Sequence, residues 1–484
     1  MRHTAVVSTA SPTQSSPPRL QGNLGTLGLF FSVMSYNAPL VVVVGVIPLM
    51  VTSGNGIGTP LVLLLAGIIL AAFADGFIQM SKTLPRPGAF YSFVTVGLGK
   101  TSGLGAGLVM LVAYFCVTVG TVAFGGIVLQ SLVTDTLGGP DLPWALWSMV
   151  FWAATAVLGY LRVDLSAKVL TGVLILELLV VAAYDIGVVW HGAGHGRLST
   201  QPWSPHHLMD GSLPIGLLFA MGLFGGFEVS VLLRDELKNP QRSIPLATFG
   251  VIASAAALYS VTSWLLVSSV GVDDAVAKVT ADPIGTMNGS IAQFAGTFVL
   301  DASTVLVNTS TFAVLLCAHN VTSRYAFNLG ADGILPSRLS AAHPRHGSPH
   351  VASLVVSALS LVAFGVVVAT RVDPHQFYGA STGMAALGGT IVFLLTSCAV
   401  VRYLNRPGSR VPLLRRAVLP AIACLGLGVS LLLTLTHFSV LTGGSELLST
   451  ALMGLIVIPF VVGVVLARRY RRTRPDVYRR IGRE

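Results

Sequence analysis

Five carboxylates stand inside stretches that are otherwise apolar enough for lipid: Asp75, Glu177, Asp185, Glu228 and Asp301. No lysine lies deep in any of these runs. An ionisable side chain at such depth is a functional-site hypothesis by default. Two roles are open to it: carrying a proton, or accepting hydrogen bonds between helices. Glu228 has the most suggestive setting. It follows Gly225 and Gly226 within MGLFGGFEVSVLLRDELKNPQRSIP, Met221 to Pro245, where an apolar helix loosens and then runs into a charged, proline-terminated loop. Irregular backbone at membrane depth is tolerated only where it is buried in protein or lines a cavity. Glu228 is therefore read either as a coupling carboxylate or as a lock on the freed amides, and Glu177 is the second coupling candidate.

Other reactive types offer less. Tyr114 and Thr118 are four apart and share a helical face; they line a pocket or, equally, the hydroxyl bonds back to its own helix. His191, His195, His206 and His207 cluster in one loop, and His343, His346 and His350 in another. Neither set shows a closed ligand pattern, so no metal is expected. All four cysteines (Cys116, Cys317, Cys398 and Cys424) fall in apolar runs and imply no disulfide framework. GNGIGTP, from Gly54, lacks the lysine and the βα context of a phosphate loop. No convergent nucleophile–base set marks an enzyme, and no cofactor is implied.

The elements that must carry these residues are membrane helices. Hydrophobic residues make up 53% of the 484, charged residues only 10%, and mean hydropathy is +0.78, far from a soluble domain. Runs of bilayer length centre near Leu40, Ile69, Leu111, Phe151, Leu176, Leu223, Ala256, Ala313, Val362, Phe393, Leu431 and Ile458, which predicts twelve spans. With both termini cytoplasmic, only Arg197, Lys278 and Arg371 of the 29 basic residues fall outside, as the positive-inside rule requires. The net charge of +10 therefore calls for no nucleic acid. Residues 1–22 read as a disordered cytoplasmic tail and 468–484 as a basic tail lying on anionic lipid.

The first span is interrupted as well. Tyr36-Asn37-Ala38-Pro39 places a proline, which removes an amide donor, in the middle of an apolar run; an ordinary proline kink is the plainer alternative. The first and sixth spans stand five helices apart and cross in opposite directions. Paired interruptions of that kind point to a transporter's substrate site between inverted repeats. The expected units are residues 23–190 (spans 1 to 5), 212–402 (spans 6 to 10) and 417–467 (two added spans).

Three stretches resemble amino acid permeases of the amino acid-polyamine-organocation superfamily. They are GFEVSVLLRDELKNPQRSIPLA (Gly226 to Ala247), LPRPGAFYSFVTVGLGK, and NVTSRYAFNLGADGILPSRLSAAHPRHGSPH (Asn320 to His350). The resemblance implies an all-α polytopic membrane protein with the five-plus-five inverted-repeat fold. It implies a substrate, an amino acid or related amine, bound midway across the membrane at the backbone of Tyr36, Asn37, Ala38, Pro39 and Leu40 and of Phe224, Gly225, Gly226 and Phe227. Tyr114 and Thr118 would line that pocket. Ser35 to Pro39 replaces the family's usual Gly-Ser/Thr-Gly, and Gly222 replaces its aromatic gate, leaving Phe224 and Phe227 as candidate lids. The expected function is secondary active transport across the cytoplasmic membrane, coupled to H+. The alternatives are exchange without net proton movement, or a solute sensor that does not transport.

Overall fold

A computed structural model describes residues 24–84, 90–161, 167–194, 197–226, 229–234, 237–343, 348–409 and 411–482. The tail expected over 1–22, and Phe227, Glu228, His195 and His346, lie outside the described residues. The backbone of Tyr36 is described, but not its side chain.

The chain enters as α1 (Thr26–Tyr36), breaks, and resumes as α2 (Pro39–Val41), a π-helical turn (Val42–Val46) and α3 (Ile47–Thr52). Next come α4 (Thr59–Thr83), α5 (Phe90–Leu98), α6 (Lys100–Ser131), α7 (Trp144–Leu161) and α8 (Ala167–Trp190). The second half begins with α9 (Leu213–Leu223) and α10 (Val229–Leu232). It continues through α11 (Pro240–Val270), α12 (Ala275–Ala281), α13 (Pro283–Ala295), α14 (Thr297–Ala331), α15 (His350–Thr370) and α16 (Pro374–Leu404). Three helices close the chain: α17 (Leu419–His437), α18 (Glu446–Thr473) and α19 (Pro475–Arg480). The one bridge outside helices pairs Leu24 with Leu237 among the described residues.

Eleven helices among the described residues are long and apolar enough to cross a membrane. The twelfth expected span is α9, whose 11 residues reach about 16 Å at a ~1.5 Å rise, roughly half of a ~30 Å hydrocarbon core. It falls short because the glycine-rich turn at Phe224–Gly226 ends it.

Burial sorts these helices into an inner and an outer set. The windows in Gly56–Thr83 and Lys100–Thr136 are 72% buried and that in Thr26–Thr52 is 71%, whereas Glu446–Thr473 is only 17% buried. The outer helices keep exposed leucines and valines such as Leu432, Leu455 and Val465, as a lipid-facing flank requires. Close approach between the sets uses glycine: α18 crosses α6 where a Cβ on Gly463 would lie 2.6 Å from the Cα of Gly105. Gly103 and Gly107, although spaced four apart on α6, do not make that crossing. A Cβ on Gly103 would instead strike Thr95 of α5.

Two connecting segments are more ordered than composition suggests. α5 is buried through Phe90, Tyr91, Phe93 and Val94, with Phe90 5.1 Å from the Phe393 ring of α16. The basic tail is helical along much of its length. Arg468–Thr473 continues α18, and α19 starts at Pro475, a proline suited to a first helical position. Val477 and Ile481, four apart, are buried on the protein, and Lys100 Nζ donates to Tyr478 O at 3.1 Å.

Candidate functional site

Why the first span breaks is local chemistry. The residue before a proline is driven out of the α region, and Ala38 takes φ 41° and ψ 72°, a left-handed conformation rare for a residue with a Cβ. α1 closes with Asn37 N donating to Met34 O at 3.0 Å and Ala38 N to Ser35 O at 3.3 Å. Pro39 has no amide, so the first donor of the outgoing helical run, which extends to Thr52, is Leu40 N. It donates to Oε2 of Glu177 at 3.1 Å. The other carboxylate oxygen accepts from the hydroxyl of Ser310. Glu177 is only 2% exposed. One carboxylate from the middle of α8 thus joins the start of α2 to α14. Its charge suits the place, since a helix N-terminus carries partial positive charge and free N–H groups.

The sixth span breaks by a different device. Gly225 N donates to Gly222 O at 3.2 Å, and Gly226 has φ 95°, a conformation available to glycine without steric cost. The two breaks touch. With its side-chain amide turned so that nitrogen faces carbonyls, the orientation the surroundings require, Asn37 donates to Gly225 O at 2.6 Å and to Leu223 O at 3.3 Å. Asn37 is buried, so it replaces the intrahelical donors that the sixth-span carbonyls lose. Gly222 stays exposed between buried Met221 and Leu223, so open space reaches the backbone of the break.

The structure therefore brings together Asn37, Ala38, Pro39, Leu40, Gly225, Gly226 and Glu177. Phe224 is 1% exposed and packs toward Gly67 of α4; it is a buried wedge, not a lid over open space. Thr118 donates to Tyr114 O at 2.9 Å and lies 3.5 Å from the Thr322 hydroxyl of α14. Tyr114 lies 5.8 Å from the Tyr325 ring. These two residues thus face α14, and Thr118 makes the back-bond to its own helix.

Glu177 also lines a cavity of about 460 Å³ that reaches Ser35 and Ala38 of the first break. Ser35, Glu177, Asn308, Thr309 and Ser310 are its polar lining residues, and Ala38 with apolar residues of α6, α7, α8 and α14 form the rest. Val150 and Val169 on its wall are more than half exposed, which places the cavity mouth on the lipid-facing flank.

Ser310 and Asn308 were not picked out from sequence. The signal was present in Asn308-Thr309-Ser310-Thr311, four hydrogen-bonding side chains in a row within an apolar span. Asn308 Nδ2 also crosses to Val128 O of α6 at 3.1 Å. Two further carboxylates find partners. Asp75, expected to lack a cation, has Arg415 Nε at 3.7 Å, from the π-helical turn Leu414–Val418 that leads into α17. Asp185 accepts from Thr262 at 3.0 Å, and Asp301 is exposed near the start of α14.

An all-helical chain with many lipid-compatible helices, interrupted at two touching points in its interior, is a multi-pass membrane protein. Comparison with known proteins places it further: residues 33–477 match the family model "Amino acid permease", and the chain belongs to that family. It is 24% identical over 331 residues to the branched-chain amino acid permease BcaP of Bacillus subtilis, covering 64% of this chain and 67% of that protein. It is 25% identical over 459 residues to the uncharacterized transporter Rv1979c of Mycobacterium tuberculosis, covering 86% and 89%. It is 26% identical over 393 residues to the aromatic amino acid transport protein AroP of Escherichia coli, covering 73% and 80%. By family, the chain is an amino acid transporter.

Proposed function

We propose that the chain is a secondary carrier that moves an amino acid or related amine across the cytoplasmic membrane by alternating access and couples that movement to protons. In this reading twelve spans form two inverted five-helix repeats with two helices added. The substrate binds between the interrupted first and sixth spans, and both termini are cytoplasmic. The observation that carries the reading is the direct bond from Asn37 to the carbonyls of Leu223 and Gly225, because it puts the two breaks at one place. The connecting helices support the repeat as well. Each half inserts extra helix after its second span, α5 in the first half and α12–α13 in the second.

Glu177 is the coupling carboxylate of this proposal, with Glu228 a second candidate. While charged it accepts from both Leu40 N and Ser310, and so ties the outgoing half of the first span to α14. Once protonated it has an O–H to donate and one fewer strong acceptor; the tie loosens and the half-helix is released to move. Substrate groups divide by charge. Amide ends of the half-helices suit a carboxylate, and carbonyl ends suit an amine. The names of BcaP and AroP favour amino acids with apolar side chains as the first to try.

The test is uptake by purified protein in liposomes with the outside acidified, using labelled leucine, phenylalanine and a polyamine in turn. Accumulation above the outside concentration that collapses with a protonophore supports the carrier. Binding of a substrate with no flux, with or without a gradient, would make the chain a sensor instead. Counterflow that proceeds without a gradient, in the absence of net accumulation, would make it an exchanger.

A further inference from the structure

We infer that the loop between α8 and α9 holds a divalent transition-metal ion of the zinc class on His206, His207 and Asp210, and that the ion pins the outer ends of the first and sixth spans together. The ligand atoms of the three residues lie within 4.8 Å of one another. His206 Nδ1 is 3.8 Å from Asp210 Oδ1, and His207 Nδ1 is bonded to Asp210 Oδ2.

Backbone conformation makes the grouping. Pro205–Met209 forms a 3₁₀ turn, in which residues three apart eclipse; that sets Asp210 beside His207, while His206 stands next to it. Two imidazoles and a carboxylate form a ligand set of zinc type, with a fourth position left for water. Tetrahedral bonds of ~2.0–2.2 Å set the ligand atoms roughly 3.3–3.6 Å from one another, so His207 and Asp210, now in direct hydrogen-bond contact, must part to admit the ion while His206 draws in. The 84% exposed side chain of His206 has room to swing in.

The loop is anchored where it matters. Asn55 Nδ2 donates to His207 O at 3.0 Å, and Ser212 N donates to Gly54 O at 2.7 Å. Gly54 and Asn55 lie just past the end of α3, while α9 starts at Leu213. The ion would therefore stiffen a clasp that touches the far ends of both interrupted spans. The metal site stands independently of the transport reading; its effect on flux rests on that reading.

The experiment uses full-length protein with its affinity tag removed, titrated with Zn²⁺ against a chromophoric chelator. Wild type should bind a single ion. His206→Ala and Asp210→Asn should each lose at least the ~10–100-fold that removal of merely supporting groups costs a metal site. Zn²⁺ added on the side of this loop should slow amino acid uptake by wild type, reversibly with chelator, and leave Asp210→Asn unaffected. Variants that bind Zn²⁺ as tightly as wild type overturn the site. Tight wild-type binding with unchanged uptake overturns the clasp. An absence of uptake without any metal would count against the transport reading, while the titration still decides the site.

Discussion

The two interruptions lie against each other but are held open by opposite means. The first is made by a proline and kept in place by side chains from elsewhere: Ala38 is forced to φ 41°, and the freed amide of Leu40 is taken by Glu177 of α8. The sixth is made by glycines, with Gly226 at φ 95°, and its carbonyls receive a side chain, Asn37, from the first. One break therefore presents an amide answered by a carboxylate; the other presents carbonyls answered by an amide nitrogen. The difference teaches that the pair forms one polar unit of complementary ends, in which the charged component among the described residues, Glu177, sits on the first break. A conformational trigger acting on Glu177 would loosen the first span while leaving the sixth held by Asn37.

The comparison can be broken most severely at Asn37. Asn37→Leu removes two interhelical bonds, each worth about 0.6–2 kcal/mol in membrane proteins, and leaves two carbonyls unpaired at depth. Uptake should be abolished and the melting temperature in detergent should fall. Next comes Gly226→Ala, which puts a Cβ on a positive-φ residue at a cost of ~1–2 kcal/mol; the melting temperature should drop and uptake weaken. Ser310→Ala removes one of the two donors to Glu177 and should cost about 0.6–1.7 kcal/mol, lowering uptake without abolishing it, while Ser310→Thr keeps the hydroxyl and the activity. The smallest effect should come from Ala38→Gly. There the relief of a left-handed alanine offsets the ~0.5–1 kcal/mol entropic cost of glycine, so melting and uptake should stay near wild type. Loss in Gly226→Ala beside near-wild-type behaviour in Ala38→Gly would show that glycine is required at one break and merely allowed at the other.

Both breaks were legible in the sequence, because Pro39 and the Gly225-Gly226 pair act on their own backbone. Their partners were not. Asn37 reads as a weak helix former, and only the folded chain shows that it serves carbonyls almost two hundred residues away. Glu177 stood out as a carboxylate in lipid-grade surroundings, but Ser310 lies 133 residues further on and nothing local marks it as the mate. Asp75 seemed to lack a cation because Arg415 belongs to a π-helical turn far along the chain. α12 and α13 were passed over because short, partly polar segments leave no membrane-length run. The docking of α19 was hidden by the arginines around Val477 and Ile481, whose spacing of four carried the signal. Local backbone chemistry can be read from a string of residues, whereas the choice of a hydrogen-bond partner is made by packing.

The central claim is that the Glu177 carboxylate, set on the broken first span, couples protons to transport. Glu177→Gln keeps the size of the side chain and an oxygen to accept from Leu40 or Ser310, but cannot alternate between charged and neutral forms. The decisive measurement compares uptake by wild type and Glu177→Gln in liposomes, across an imposed pH gradient and under counterflow with equal pH. The account predicts that Glu177→Gln retains counterflow and loses both accumulation and its dependence on the gradient. Gradient-driven accumulation by Glu177→Gln equal to that of wild type would contradict it.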